Sequence, residues 1–463
     1  MQLDATAPRI LVGESAHPLA GHPPGLSTLF FAEMWERFSY YGMRAILMLF
    51  MVTPAVQGGL GFTTRDAASL YGTYTMLVYM ASVAGGLVAD RLLGASRSVF
   101  VGGIVIACGH FSMAVHSMPF FYAGLGLIVV GTGLLKPNIS TMVGSLYAPG
   151  DPRRDSGFSI FYMGINIGAV MAPLVCGWLA ESATFKNQLA AWGFDPAHSW
   201  HWAFAAAGVG MLVGLAVFSL NRRQLPSAGP KRDASTETVH ASSTLTKREW
   251  MRVLAIVILF AFTIMFWSAY EQKGASLNLF ARDLVSRTLF GWDFPASWLQ
   301  SLTPFFVIVL TPLFVRLWIR MGDHQPSSVR KFAVGLFAIG FAMLLLVPAS
   351  ALTADGKISP LWLVAVYFFD VVGELLVSPV GLSMVTRLSP PQIVGLMMGA
   401  WFFATSLGNK LAGFFSGFFT ASDPGALMRL YGGIGVMLWV GALLLALLTP
   451  KLERMTNAPQ TSA

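Results

Sequence analysis

The sequence predicts an all-α, multi-pass membrane protein with twelve transmembrane helices in two six-helix halves and both termini in the cytoplasm. Only 11% of the 463 residues are charged and the mean hydropathy is +0.63, whereas soluble domains carry about 25% charged residues. Many apolar stretches reach about 20 residues, the length with which a helix crosses a bilayer. A β-barrel would instead show short segments of alternating polarity.

The apolar stretches divide the chain into domains. We expect spans at residues 26–53, 66–89, 97–116, 119–146, 156–180, 201–220, 251–281, 297–320, 330–350, 360–386, 392–420 and 427–449. Residues 221–250 are rich in Ser, Thr, Lys and Arg, which predicts a flexible cytoplasmic linker between the halves. The predicted domains are an N-terminal tail (1–25), a first bundle (26–220), the linker (221–250), a second bundle (251–449) and a C-terminal tail (450–463).

The charges of the loops predict the orientation. Basic residues gather in alternate loops, including those with Arg91, Arg97 and Arg153, whereas the opposite loops hold isolated cations such as Arg65 and Lys186. Because basic loops remain on the cytoplasmic side, both termini are expected there. Six spans, a cytoplasmic linker and six spans is the layout of a major-facilitator transporter.

The first span contains an ionisable stretch, residues 33–42 (EMWERFSYYG). A charged side chain at the bilayer centre costs about 2.5–3.5 kcal/mol on insertion scales. Glu33, Glu36, Arg37, Tyr40 and Arg44 recur every three or four residues, so on a helix they share one face. This face is expected to line a cavity. The alternative interpretation is a self-paired cluster that only locks helices together.

Other ionisable residues fall on equivalent helices of the two halves. Spans one and seven each hold acids, including Glu271, and spans four and ten hold Lys136 and Glu374. In a pseudo-symmetric transporter these four helices surround one central cavity. Lys136 can pair across the cavity with Glu271, while Glu374 has no obvious fixed cation and suits a substrate amine.

The remaining ionisable residues complete a pattern that suits a zwitterion. Arg44 has the forked geometry that binds a carboxylate. Arg37 can pair along its helix with Glu33 or Glu36, and either glutamate can take a proton. Tyrosines offer hydroxyl groups and apolar ring faces for variable side chains.

The stretch after span two, residues 85–94 (GGLVADRLLG), resembles the short loop between spans two and three of major-facilitator proteins. That resemblance implies a cytoplasmic gate contact made by Asp90 and Arg91. The alternative is a helix-end acid in an ordinary basic loop. The sequence has no Walker loop, metal-ligand spacing or nucleophile elbow, so we expect neither a cofactor nor an enzyme.

Five motifs together resemble the proton-dependent oligopeptide transporters of the prokaryotic type. They are residues 33–42, 161–169 (FYMGINIGA), 267–272 (WSAYEQ), 373–382 and 408–409. The resemblance runs over nearly the whole chain and implies proton-coupled uptake of di- and tripeptides.

The resemblance also implies residue roles. Glu33, Glu36 and Arg37 would belong to the proton-coupling element, with Lys136 and Glu271 as a pair between the halves that breaks and remakes.

The same resemblance implies a peptide site. Arg44 and Lys136 would receive the peptide carboxylate, and Glu374 with Asn166 the amino end. The pocket would be lined by tyrosines and walled by tryptophans, namely Tyr40, Tyr41, Tyr79, Trp267 and Trp401.

Two features depart from the family pattern. Prokaryotic members often insert two helices between the halves, but residues 221–250 are too short and too polar for them. Thr303 stands where the family often has asparagine.

We therefore expect a monomeric symporter of the cell (inner) membrane whose partners are peptides, protons and the lipid bilayer, with no nucleic acid. Protons are the coupling ion. One alternative keeps the fold but transports an amino acid, nitrate or a drug. The other is a membrane-embedded peptide receptor or enzyme.

Overall fold

The computed structural model describes residues 21–148, 150–225, 245–289 and 291–456, and these are almost entirely helical. They contain twelve helices of 19 residues or more: α1 (Gly25–Val52), α2 (Thr64–Val88), α3 (Ala95–Met113), α4 (Met118–Ser145), α5 (Arg154–Glu181), α6 (Ser199–Leu220), α7 (Lys247–Tyr270), α8 (Leu302–Met321), α9 (Ser328–Leu352), α10 (Leu361–Leu388), α11 (Val394–Ser416) and α12 (Pro424–Thr456).

Ten of these helices are long and apolar enough to cross a membrane. The two others, α1 and α11, are of similar length and carry polar and ionisable side chains, among them Glu33, Glu36 and Arg37 in α1 and Asn409 and Lys410 in α11. The fold class agrees with the prediction, whereas the count of twelve spans and the cytoplasmic termini stay predictions.

Short elements connect the long helices. They are two further α-helices (Ala183–Ala191 and Ser276–Leu284), a five-residue π turn (Ala89–Leu93), 3-10 turns at Ala55–Gln57, Pro196–His198, Arg222–Gln224, Glu271–Gly274, Ala296–Ser301, Gly322–His324, Thr353–Asp355 and Pro391–Ile393, and two strands, β1 (Thr288–Leu289) and β2 (Trp292–Asp293). The strands form an antiparallel hairpin in which Thr288 faces Asp293.

Three predicted boundaries differ from the structure. The span expected at 251–281 is not continuous: α7 ends at Tyr270, a 3-10 turn follows at Glu271–Gly274, and the backbone at Ala275 (φ −120°, ψ −97°) lies outside the helical region. The C-terminal tail expected from 450 begins as helix, since α12 runs to Thr456 and buries Leu452. The linker expected at 221–250 ends within α7, and its residues 226–244, like tail residues 1–20 and 457–463, lie outside the described part of the chain.

Within each half, the helices pack against one another as a bundle. In the first half (α1–α6), α1 packs against α5 and α6, and α3 packs against α4. In the second half (α7–α12), α9 packs against α10 and α12, and α7 packs against α11. The halves meet where α2 contacts α11 and α5 contacts α8. A cavity between the halves therefore has walls from both.

The halves are joined at one end of the bundle. We call the end at which α1 ends and α2 begins the outer end, and the opposite one the inner end. At the outer end, Ser297 donates its hydroxyl to Glu181 (2.6 Å), and Asn278 donates to the carbonyl oxygen of Ala45 (2.7 Å). Lys410 of α11 likewise donates to the hydroxyl of Thr73 in α2 (2.7 Å).

Glycines allow α2 and α11 to touch at this end. A Cβ atom placed on Gly72 would lie 2.9 Å from the Cα atom of Gly413, closer than real side chains come. Small residues of this kind let membrane helices approach backbone to backbone. The outer end is therefore closed in this structure.

Candidate functional site

The inner half of α1 holds three buried charges. Glu33, Glu36 and Arg37 are each no more than 3% exposed. The Nε atom of Arg37 lies 3.0 Å from a carboxylate oxygen of Glu33, and Arg37 also pairs with Glu36. The Arg37 guanidinium lies over the ring of Tyr40 at 5.5 Å. We call Glu33, Glu36 and Arg37 the inner charge cluster.

A second set of charges lies nearer the outer end. Arg44 forms an ion pair with Glu271 of the other half and donates from Nε to the hydroxyl of Tyr71 (2.7 Å). Arg44 and Glu271 are 5% and 2% exposed. Seven residues separate Arg37 from Arg44, about 10 Å along a helix at about 1.5 Å per residue. The charges therefore form two levels.

The predicted pair between Lys136 and Glu271 is absent from this structure, in which Glu271 pairs with Arg44. The ammonium of Lys136 lies over the ring of Tyr79 at 4.3 Å, and Lys136 makes no ion pair with any described residue. Lys136 lies in the half of α4 that leads to Ser145, and the residue after Ser145, Leu146, lies against Gly25 at the inner end of α1. Lys136 thus belongs to the inner level, whereas Glu271 belongs to the outer one.

A cavity of about 150 Å³ lies between the halves, beside Arg44. It is walled by α1 and α5 from the first half, by α8, α10 and the turn after α7 from the second, and lined by Tyr41, Arg44, Tyr162, Ile165, Asn166, Ala169, Pro173, Tyr270, Lys273, Gln300, Thr303, Pro304, Val307 and Glu374. Four residues predicted to bind peptide are among them, namely Tyr41, Arg44, Asn166 and Glu374.

The other predicted pocket residues lie outside this cavity. Lys136 and Tyr79 contact each other at the inner level. Trp401 is 3% exposed and packs against Phe260 with ring centroids 6.3 Å apart.

Trp267 and Tyr40, the remaining two predicted pocket residues, pack against aromatic residues that line the cavity. The ring of Trp267 packs edge-on against Tyr270 at 5.1 Å, and Tyr40 packs against Tyr41 at 5.3 Å. Trp267 and Tyr40 are therefore one contact removed from the cavity.

Sequence reasoning missed several cavity residues. Tyr270 donates its hydroxyl to Glu374, Lys273 lies over the Tyr270 ring, and Tyr162 and Gln300 also line the cavity. Tyr162 could have been found, because it precedes Asn166 by four residues and so shares its helix face. Lys273 is a charge within the span expected at 251–281, but the direction of its side chain depends on the 3-10 turn that interrupts this span.

The predicted gate residues, Asp90 and Arg91, lie in the π turn after α2 and are exposed. Neither makes an ion pair with a described residue. Their role as a gate stays a prediction.

Comparison with known proteins decides the family. Residues 96–253 and 238–430 match the model of the POT family. The chain belongs to the POT family. Peptide transporter YePEPT of Yersinia enterocolitica is 38% identical over 95% of this chain and 96% of the relative. A di-/tripeptide transporter of Lactococcus lactis is 35% identical over 94% and 97%.

Solved structures agree with this POT-family assignment. A crystal structure of a peptide transporter POT variant in complex with alafosfalin has a TM-score of 0.85 and 35% identity, covering 96% of this chain and 97% of that one. The chain is thus a multi-pass membrane protein of a transporter family, and its bacterial relatives imply the inner membrane.

Proposed function

We propose that this POT-family chain is a proton-coupled symporter that imports di- and tripeptides by alternating access and releases them chemically unchanged. Protons are its coupling ion, it uses no cofactor, and it acts as a monomer. One observation carries the proposal: a single cavity has a guanidinium, Arg44, on one half and a carboxylate, Glu374, on the other.

This arrangement suits the two charged ends of a short peptide. Arg44 can bind the carboxylate in a forked contact, and Glu374 with Asn166 can bind the amino end. The tyrosine rings between them accept side chains of varied size through apolar faces. The relatives named as peptide transporters and the POT structure with alafosfalin support the same class of ligand.

The Arg44–Glu271 pair offers a route for proton coupling. A proton on Glu271 removes the charge that holds Arg44 and leaves the guanidinium to the peptide carboxylate. The pair joins the halves, so its release alters the balance between outward-open and inward-open states. The inner charge cluster and Lys136 complete the coupling element at the other level.

The proposal is tested by competition in proteoliposomes that contain the purified chain. Uptake of labelled dialanine should be blocked by unlabelled di- and tripeptides, and unaffected by free alanine or nitrate. The solute recovered from the vesicles should be intact dialanine. Blockage by free alanine or nitrate would assign another solute, cleaved product would indicate an enzyme, and binding without uptake a receptor.

A further inference from the structure

Lys273 lines the cavity and forms no ion pair with an acidic side chain among the described residues. It belongs to the 3-10 turn Glu271–Gly274, lines the cavity with Arg44 and Glu374, and forms no ion pair with any described residue. Arg44, in contrast, is engaged by Glu271 and Tyr71. An ammonium in this position is available to whatever enters the cavity.

The ring of Tyr270 holds Lys273 beside Glu374. The Lys273 ammonium lies 3.1 Å from the centre of that ring, and the hydroxyl of the same ring donates to Glu374. A cation–π contact contributes about 0.5–2 kcal/mol, and charge-assisted hydrogen bonds to a carboxylate are stronger. Lys273 can therefore leave the ring for a carboxylate at small cost.

A second acid lies within reach. Asp370 precedes Glu374 by four residues on α10, so both lie on one face of the helix. Asp370 is fully buried, and neither of its oxygen atoms accepts a hydrogen bond from a described residue. Glu374, Arg44 and Asp370 all lie close enough to Lys273 for their charges to act on it. This side of the cavity thus holds two carboxyl groups, those of Glu374 and Asp370, and one ammonium group, that of Lys273.

We propose that Lys273 is a tethered ammonium that competes with the ligand's amino group for Glu374, and that Asp370 receives Lys273 when the ligand binds. The inference rests on the proposed peptide transport. The ligand's ammonium takes Glu374 and leaves Lys273 to pair with Asp370. Lys273 and Asp370 then set the affinity for ligands with a free amine, although neither has to touch the ligand.

Two charge-removing substitutions test this competition through dialanine binding to the purified chain. Lys273→Met removes the competitor and should tighten binding, by about tenfold if about 1.4 kcal/mol is gained. Lys273→Arg keeps a cation and should not tighten binding as Lys273→Met does. Asp370→Asn removes the receiving acid and should weaken binding, and this weakening should largely vanish in the Lys273→Met background.

The controls separate competition from structural damage. N-acetyl-dialanine lacks the amine, so Lys273→Met should not tighten its binding. If Lys273→Met does not fold, the double variant Lys273→Met/Asp370→Asn replaces it and should bind dialanine more tightly than Asp370→Asn alone.

Three results would overturn the inference while leaving peptide transport intact: weaker dialanine binding by Lys273→Met, equal tightening for both ligands, or an equal Asp370→Asn effect in both backgrounds. A wild-type chain that binds no dialanine would instead overturn the proposed function.

Discussion

Arg44 of α1 and Glu271 at the end of α7 form a buried ion pair that joins the two halves at the outer end. The pair sits beside the cavity, and hydrogen bonds from Asn278 and Ser297 to the first half lie near it. The guanidinium of Arg44 thus helps to hold the outer end closed, and it is also the proposed binding group for the peptide carboxylate. A ligand that binds Arg44 therefore also weakens the contact between the halves.

Arg44→Ala should lower the stability of the purified protein. Removing one partner of a buried pair leaves an uncompensated charge, which costs about 3–5 kcal/mol. The melting temperature in detergent measures this loss. The matched control is Arg44→Met/Glu271→Met, which removes both charges and should recover most of the stability but no uptake. A single variant that melts like the wild type would show that the pair contributes little.

Glu36→Gln should abolish proton-driven accumulation of dialanine and spare counterflow exchange. An amide keeps the shape of the carboxyl group and its contact with Arg37 but takes up no proton. Accumulation under an inward proton gradient and exchange without a gradient are compared in the same proteoliposomes. Normal accumulation by Glu36→Gln would remove Glu36 from the coupling element.

Asp151→Asn should leave the pH dependence of uptake unchanged. Asp151, in the loop between α4 and α5, accepts hydrogen bonds from the side chain and backbone of Arg153, which lower its pKa to about 2. A lowered pKa means that its contribution to stability is present above its unfolded pKa and is lost as the pH falls through about 2. Asp151 therefore stays ionised between about pH 5 and pH 8. A shifted uptake profile would contradict this assignment.

Gly72→Val should block both net uptake and exchange. A side chain at this position meets the backbone of Gly413, so α2 and α11 separate and the outer end fails to close. The matched control is Gly433→Val on α12, where an added Cβ has open space within 4 Å. Wild-type exchange by Gly72→Val would show that backbone contact at this point is not needed for closure.

Charges that break an apolar pattern are the features that sequence reasoning located well. The stripe on α1 stands out because lipid cannot satisfy it, and helix spacing alone places Arg37 beside Glu33. Glu374 stands out on α10 for the same reason. Such residues are predictable from local spacing within one helix.

Pairing between halves was not predictable in the same way. Residue numbers give the height of a side chain along its own helix, but not the relative height of two helices from different halves. Glu271 was expected to pair with Lys136, but the structure places Glu271 at the level of Arg44. The break after Tyr270 was also not predictable, because the hydrophobic run continues through it. The direction of the Lys273 side chain depends on this break and was therefore not predictable either.

The most direct test is the accumulation of labelled dialanine in proteoliposomes with an acidic exterior and a neutral interior. Proton-coupled symport predicts accumulation above the external concentration, its collapse when a protonophore is added, and only equilibration when no gradient is imposed. Equal uptake with and without the proton gradient would contradict proton-coupled symport.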